Sequence, residues 1–171
     1  GYSSAASDVY KRQTYKVIVL RPPMIYGKGS KGNYRTLAKL AKKLLIFPNV
    51  DNERSMLYIE NLCEFLCQIM LIKSYARNSV VLLPQNGEWT KTSDMVKEIA
   101  KASGKRIAEL KCFAPAVWIG SKMPGKIGGL VNKAFGNSCY AHELSLYKGV
   151  KYKKNTLIES IFRTEGNAKN Y

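Results

Sequence analysis

Acidic residues and histidine are scarce in this 171-residue chain, and long hydrophobic runs are absent. Twelve Asp and Glu stand against 28 Lys and Arg, which gives a formal net charge of +16. A charge of this size predicts an anionic partner, and phosphate is the first candidate. No uncharged apolar stretch reaches the roughly 18 to 20 residues that cross a bilayer, and the first residues lack the charged-then-apolar order of a secretory signal. We therefore expect no membrane span and a cytoplasmic protein.

The few cysteines and the single histidine form no recognisable metal or redox motif. Cys63, Cys67, Cys112 and Cys139 include no CxxC pair, which argues against a four-ligand zinc site and against a disulfide scaffold. Cys63 and Cys67 lie four positions apart, so we expect both on one helix face as reduced thiols in the core. His142 has no second ligand or nucleophile beside it and is interpreted as structural. Spacing yields no Ser-His-Asp set, metal cluster or close carboxylate pair, so no metal is expected.

The first thirteen residues differ in character from the rest of the chain. They have neither a strand period nor a helix period, and residues 8–13, DVYKRQ, match one reading frame of a transposase mosaic-end sequencing adapter. We predict that residues 1–13 are not native and that the natural sequence starts near Thr14. Without them 26 basic and 11 acidic residues remain, so a net charge of +15 belongs to the natural part.

Apolar runs and helical periods alternate after that point. The runs VIVL at 17–20 and VVLL at 80–83 predict strands buried on both faces, and residues 45–47 predict a short strand between them. Three helices are predicted, one with the apolar face Leu37, Leu40, Ala41 and Leu44, one over 59–70, and one capped by Thr92-Ser93-Asp94 with the inner face Met95, Val96, Ile99 and Ala100. Gly104 closes the third helix, and a capping box at Thr156 and Glu159 opens a last one. The alternation predicts an α/β fold with few, mostly parallel strands.

A glycine-rich loop, GKGSKG at 27–32, is the first candidate for a binding site. It spells GxGxxG, but Arg21 to Tyr26 separates it from the strand, and the acidic candidate Asp51 follows a proline in a turn. These departures argue against a dinucleotide-binding turn. Two lysines, free glycine amides and a following helix N-terminus predict an anion-binding loop, and a flexible, solvated loop is the alternative.

Arg54 and a basic run near the end are the other candidates. The guanidinium of Arg54 can reach a cleft, and its fork suits paired phosphate oxygens, although an intramolecular partner such as Glu53 or Glu60 is equally consistent with the sequence. The run KGVKYKK, Lys148 to Lys154, is interpreted as a solvated surface, with a binding stripe as the alternative.

Three segments carry a resemblance to a known family: VIVLRPPMIYGKGSKGNY, NERSMLYIENLCEFL and VVLLPQNGEWTKTSDMVKEIAKASGK. Over residues 14–105 the chain resembles the second half of the NAD-dependent epimerase/dehydratase family, the extended short-chain dehydrogenase/reductases. In that family a strand ends in Arg-Pro, here Arg21-Pro22, and runs on to Tyr-Gly, here Tyr26-Gly27. An arginine then precedes a helix, and here it is Arg54. The branch that epimerises or reduces UDP-linked hexoses and N-acetylhexosamines is the most similar. The resemblance implies the C-terminal part of a Rossmann-like fold with a helix-rich substrate lobe.

The resemblance also implies roles for individual residues. Pro22 and Pro23 are expected beside the nicotinamide end of NAD, with NADP also possible. Asn33 and Lys31 are expected to face the UDP-linked sugar, and Arg54 is expected to grip its diphosphate. The parent protein is expected to be a homodimer.

The chain also departs from the family pattern. Met24 stands where many relatives have asparagine, which argues against a standard UDP-galactose 4-epimerase, and Asn61 stands where many have aspartate. The family's glycine-rich cofactor turn and its Tyr-x-x-x-Lys pair belong upstream of Thr14, and Tyr10 is followed one helical turn later by Thr14 instead of lysine. We therefore expect no catalytic residue in this chain.

These observations predict that residues 14–171 are the sugar-nucleotide-binding portion of an NAD-dependent nucleotide-sugar 4-epimerase whose cofactor half is missing. Alone, the chain is expected to be inactive and poorly stable, because sheet edges and apolar faces would be uncovered. A 4-keto reductase or dehydratase of the same family is the alternative. An alternative of another class is a basic module that binds nucleic acid, which the net charge and the Lys148 to Lys154 run support.

Overall fold

The structure, a computed structural model, describes residues 17–72 and 79–166, so the predicted foreign segment 1–13 lies outside the described residues. The strands are β1 Val17–Leu20, β2 Met24–Tyr26, β3 Ile46–Pro48, β4 Met56–Tyr58, β5 Ser79–Leu82 and β6 Ala108–Leu110. The helices are α1 Asn33–Lys43, α2 Ile59–Met70, α3 Thr92–Ala102, α4 Ala114–Lys122, α5 Lys126–Phe135 and α6 Leu157–Glu165. Lys111–Phe113 and His142–Ser145 form 3₁₀ turns. The predicted α/β fold is confirmed.

All three strand pairings among the described residues are parallel. β1 pairs with β5, β2 with β4 and β3 with β6, each as a separate two-stranded ladder. Parallel neighbours need a crossover between them, and here each crossover carries at least one helix. The carboxyl ends of β1 and β5 therefore lie side by side, and so do those of β2 and β4.

Helices α1, α3 and α6 form the main core together with β2 and β4. α3 packs against both α1 and α6. The predicted inner face of α3 is confirmed, since Met95, Val96, Ile99 and Ala100 are all fully buried. A second cluster joins Phe65 of α2 to the end of β5 and to Tyr152, whose ring meets the Phe65 ring edge-on at 4.8 Å.

The apolar face of α1 is rotated relative to the prediction. The helix begins at Asn33, and Tyr34 turns inward to stack on Tyr26, with 5.5 Å between ring centroids. The buried face consequently consists of Tyr34, Leu37, Ala38 and Ala41. Leu40 and Leu44, which the spacing placed on the inner face, keep more than a third of their surface exposed.

Two predictions of burial were wrong. β1 is only half-buried and Val81 of β5 is half exposed, because the described residues provide β1 with one neighbouring strand and leave the pair incompletely covered. Cys63 and Cys67 are exposed thiols. The inner face of α2 follows Asn61, Phe65 and Ile69, and a residue two positions away points to the opposite side of a helix.

One of the two predicted helix caps is confirmed. The capping box of Thr156 and Glu159 is present at the start of α6. At α3, however, Thr92 is the first helical residue and no side chain of the 92–94 segment caps the helix. The distant Asn52 fills that role instead, since its Oδ1 accepts from the Thr92 amide at 3.0 Å and its Nδ2 donates to the Thr92 hydroxyl at 2.9 Å.

A buried polar network ties the strand ends to the last part of the chain. The Tyr26 hydroxyl shares a 2.7 Å hydrogen bond with Ser160 and accepts from Asn86 Nδ2 at 3.0 Å. Asn61 donates to Asn86 Oδ1 at 3.1 Å and accepts from the backbone amide of Asn155 at 3.1 Å. Burial raises the pKa of Tyr26 to about 12, because the phenolate cannot be solvated there.

We predict that Tyr26→Phe lowers the free energy of unfolding by about 1 to 2 kcal/mol at pH 8, since Ser160 and Asn86 lose a buried partner. The neutral phenol stabilises the fold below pH 10, and this contribution falls as the pH rises from 10 toward 12. The difference in free energy of unfolding between wild type and Tyr26→Phe should therefore shrink by about 1 kcal/mol between pH 8 and pH 11. Urea unfolding of both proteins at the two pH values measures this, and comparison at the same pH removes the effect of titrating lysines. An equal difference in free energy of unfolding at both pH values would contradict the raised pKa of Tyr26.

Candidate functional site

A cavity of about 300 Å³ lies between α1, β3 and α5. Its walls are mostly apolar and include Leu37, Phe47 and Phe135, and the two phenylalanine rings tilt together with 5.7 Å between their centroids. Asn33 and Arg54 also line it. The structure thus brings two of the predicted site residues to one cavity that combines an apolar surface with a cation and an amide.

Arg54 lies where three segments of the chain meet. Its backbone exchanges two hydrogen bonds with Thr90, and the adjacent Ser55 amide donates to the Ser138 carbonyl at 2.9 Å. Its Nη1 donates to the carbonyl oxygens of Lys133 and Ala134, the latter at 3.2 Å. These carbonyls belong to the last turn of α5, where helical carbonyls lack partners and carry partial negative charge.

This geometry confirms an intramolecular partner for Arg54, although the partners are backbone carbonyls of α5. Neither Glu53 nor Glu60 is its partner, and Glu60 instead pairs with Arg163 at 3.2 Å. The guanidinium is half-buried, and burial lowers its pKa below the ordinary value, although arginine stays protonated at any physiological pH. Because a guanidinium has five N–H donors, Arg54 can hold α5 and still present donors to the cavity.

Lys31 lines a different cavity from Arg54. This second cavity, of about 460 Å³, lies between the glycine-rich loop, the outer side of α1 and the end of α6. Lys28, Lys31, Arg35, Lys39 and Lys42 line it together with one carboxylate, Glu165. Glu165 is already engaged, since it pairs with Lys42 and accepts from the Tyr34 hydroxyl at 3.0 Å.

The glycine-rich loop has a defined conformation that needs its glycines. Gly29 and Gly32 have φ values of +79° and +80°, in the left-handed region. A Cβ on Gly27 would lie 2.3 Å from a methyl carbon of Ile59, so the loop can pass the start of α2 only with glycine there. The Ser30 amide closes the turn onto the Gly27 carbonyl at 3.1 Å.

Pro22 and Pro23 follow β1 after Arg21 and are half-buried. The Arg21 amide still donates to the Leu82 carbonyl at 2.9 Å, so the pairing with β5 extends one residue further before the prolines end it. The two rings therefore stand at the carboxyl ends of a parallel strand pair. Ligands of open α/β sheets bind at this edge.

His142 stacks on Trp89, with 4.4 Å between ring centroids and 18° between ring planes. The Trp89 Nε1 in turn donates to the Tyr140 carbonyl at 3.0 Å. This packing agrees with a structural histidine. Within residues 17–72 and 79–166, no three His, Cys, Asp or Glu side chains lie close enough together to hold a metal ion.

The basic run near the end of the chain is only partly solvated. Lys148 and Lys151 are exposed, but Tyr152 is buried and its hydroxyl donates to the Gln85 carbonyl at 2.9 Å. Lys153 donates to the Ser145 hydroxyl at 2.8 Å, and burial lowers the pKa of its ammonium. The run lines an open depression of about 600 Å³. The run is an irregular segment that Tyr152 fastens to the core.

Sequence reasoning missed the buried amides that hold the site together. Asn52, Gln85 and Asn86 are almost completely buried. Gln85 and Asn86 lie three and four residues after the end of β5, near a strand end where polar side chains often serve a site, but nothing in their spacing says which distant groups they bind. Asn52 lies in a turn-forming stretch in the sequence, and its contact with Thr92 emerges only from the fold.

The chain is similar in sequence and in fold to nucleotide-sugar epimerases. No family model matches the chain. Over 122 residues it is 30% identical to UDP-glucose 4-epimerase of Vibrio cholerae, a match covering 70% of this chain and 35% of that protein. The structure of Thermus thermophilus UDP-glucose 4-epimerase in complex with NAD matches with a TM-score of 0.60 and 17% identity, over 95% of this chain and 49% of that one. Bacillus cereus UDP-N-acetylglucosamine 4-epimerase matches with a TM-score of 0.61 and 14% identity, over 92% and 50% of the two chains.

These findings confirm the resemblance to the NAD-dependent epimerase/dehydratase family and its Rossmann-like fold. The chain is related to UDP-sugar 4-epimerases. It spans about a third of the curated relative and about half of each solved structure.

We predict that Arg54→Met, which keeps the aliphatic stem, lowers the free energy of unfolding by about 1.5 to 3 kcal/mol, the range for a hydrogen bond to a charged group. Hydrogen exchange should accelerate in α5, whose last turn loses its donor. The control is Arg35→Met on the exposed side of α1, which should change stability by less than about 0.5 kcal/mol. Equal effects of the two variants would show that Arg54 does not hold α5.

Proposed function

We propose that residues 14–171 are the substrate-binding C-terminal portion of an NAD-dependent nucleotide-sugar epimerase that acts on a UDP-linked hexose or N-acetylhexosamine. The observation that carries the proposal is the cavity shared by Asn33 and Arg54. The similarity to a UDP-glucose 4-epimerase supports the same proposal. A 4-keto reductase or dehydratase of the same family would bind its substrate in the same way.

The cavity suits a ligand with a flat apolar end and an anionic end. Leu37, Phe47 and Phe135 offer a surface for a planar base, and a volume of about 300 Å³ accommodates a group of that size. Arg54 stands at the same cavity and can donate paired hydrogen bonds to a diphosphate. Asn33, the first residue of α1, can donate or accept at the sugar side.

Lys31 has a secondary role in this proposal. It belongs to the basic cavity of the glycine-rich loop, on the other side of α1 from the apolar cavity. Five cationic side chains line that cavity, and together they raise the concentration of an anionic nucleotide near the protein. Lys31→Ala should therefore affect UDP binding less than a change at Arg54.

We propose NAD as the cofactor of the parent protein, with NADP as its close alternative. Pro22 and Pro23 fit this group, because two half-buried apolar rings at the carboxyl ends of β1 and β5 form a surface on which a nicotinamide ring can rest. When bound, the nicotinamide accepts a hydride from a sugar ring carbon and returns it. The residues of this chain hold the nucleotide and orient the sugar toward that edge. The tyrosine and lysine that move the hydroxyl proton are proposed to lie outside this chain, so the chain alone should bind but not turn over UDP-sugar.

Titration calorimetry on the 171-residue chain tests the proposal by comparing UDP with uridine. UDP should bind more tightly, because only UDP carries the diphosphate that Arg54 contacts. Arg54→Ala should weaken UDP binding by about 1.5 to 3 kcal/mol, and it should weaken uridine binding clearly less, since uridine loses only the support that Arg54 gives to α5.

The control for this test is Thr92→Val. The Thr92 hydroxyl donates to the Ala134 carbonyl at 2.7 Å, so its loss loosens the same end of α5 while the cation stays in place. If Arg54 acts on UDP through its charge, and not only by holding α5 in position, Thr92→Val should keep its affinity for UDP. If Arg54→Ala and Thr92→Val weakened UDP binding equally, the proposed contact between Arg54 and the diphosphate would be contradicted. Tight, salt-sensitive binding of a DNA duplex with no response to UDP would favour the nucleic-acid alternative.

A further inference from the structure

The hairpin formed by residues 111–135 exposes large apolar side chains. It comprises the 3₁₀ turn, α4, the connecting residues 123–125 and α5, and the two helices pack mainly against each other. Trp118, Ile119 and Met123 are 65%, 59% and 45% exposed. Trp118 and Ile119 are neighbours in sequence, and an exposed cluster of this kind marks an interaction site more often than a chance arrangement.

The hairpin is strongly basic. Between Glu109 and Glu143 the sequence contains no Asp or Glu, while it contains four lysines, Lys111, Lys122, Lys126 and Lys133. The side chains of Lys111, Lys122 and Lys133 are exposed. The exposed apolar residues therefore lie in a segment whose charge has one sign only.

The exposure does not come from a poorly packed segment. Inside the hairpin, Asn132 Nδ2 donates to the Ser121 carbonyl at 3.1 Å, and a Cβ on Gly120 would lie 3.4 Å from a Val131 methyl carbon. At the base, Arg54 and Thr92 both donate to the last carbonyls of α5. These contacts hold the hairpin together and fasten its base, while Trp118 and Ile119 keep most of their surface exposed.

We propose that the 111–135 hairpin binds the surface of an anionic phospholipid membrane. Trp118, Ile119 and Met123 insert at the boundary of headgroups and acyl chains, while the lysines contact lipid phosphates. Tryptophan favours this interface because its ring is apolar and its N–H is polar. Lysines next to the inserted residues are attracted by the negative surface potential.

The contact is with the membrane surface only. Among the described residues, no helix has the length and apolar character needed to cross a bilayer. A symmetric contact between two hairpins is disfavoured, because their lysines would face each other with no carboxylate from either segment between them. The inference does not depend on the proposed nucleotide site.

Fluorescence of the 171-residue chain with lipid vesicles tests this inference. The chain has two tryptophans, so Trp89→Phe leaves Trp118 as the only one. Its emission should shift to shorter wavelength and be quenched by lipids labelled in the acyl chain. This should occur with vesicles of phosphatidylcholine and phosphatidylglycerol and much less with phosphatidylcholine alone. Circular dichroism confirms that each variant keeps the fold.

Matched variants separate the hairpin from the general positive charge. By sedimentation with the anionic vesicles, Trp118→Ser with Ile119→Ser should weaken binding by at least about tenfold, since the inserted surface is lost. Lys111→Gln with Lys122→Gln should also weaken it clearly. Lys148→Gln with Lys151→Gln removes the same charge from the exposed run elsewhere and should have the smaller effect.

Four results would overturn the proposal. The first is that the chain does not bind anionic vesicles. The second is that the two lysine-pair variants lose vesicle binding equally, which would indicate that positive charge alone accounts for the binding. The third is a dimer that forms without lipid, as measured by analytical ultracentrifugation, and that Ile119→Ser abolishes. The fourth is binding of a DNA duplex that the Trp118 and Ile119 changes weaken while vesicles do not bind.

Discussion

The candidate site depends on the contact between the Arg54 guanidinium and the last carbonyls of α5. Arg54 lies on a backbone segment that bonds to Thr90 on one side, and the neighbouring Ser55 bonds to Ser138 on the other. Its side chain then fixes the end of a helix that supplies one wall of the apolar cavity. One residue thereby joins the segment before α3 to the end of α5. Arg54 also puts positive charge beside a mostly apolar cavity surface.

A second constraint comes from buried amides, which fasten the closing part of the chain to the strand ends. Asn61 bonds to Asn86 and to the backbone at Asn155, and Tyr26 bonds to Ser160 of α6. Amides suit this role because each one can donate and accept at once, so Asn61 and Asn86 bond to several groups without a buried charge. The asparagine at position 61, where many family members have aspartate, is explained by its donation to Asn86.

The fold could be predicted from the sequence where the pattern was local. The inner face of α3, the capping box at Thr156 and the strand at 17–20 all follow from periodicity and residue type within one segment. The errors arose where a distant group decides the outcome. Tyr34 turns inward because Tyr26 meets it, Asn52 caps α3 from forty residues away, and Cys63 is exposed because Asn61 and Phe65 take the inner face. For the site, the sequence identified Asn33 and Arg54 but could not place Lys31 in a separate cavity or find the helix end that Arg54 binds.

The central claim is that a nucleotide diphosphate binds in the cavity between α1, β3 and α5. Addition of UDP to the isotope-labelled 171-residue chain, followed by amide NMR shifts, tests this most directly. The account predicts that the largest shifts occur at Asn33, Phe47, Arg54 and Phe135, with small ones along Lys148 to Lys154. Shifts concentrated in that basic run, or spread evenly over the exposed lysines with none at Arg54, would contradict it.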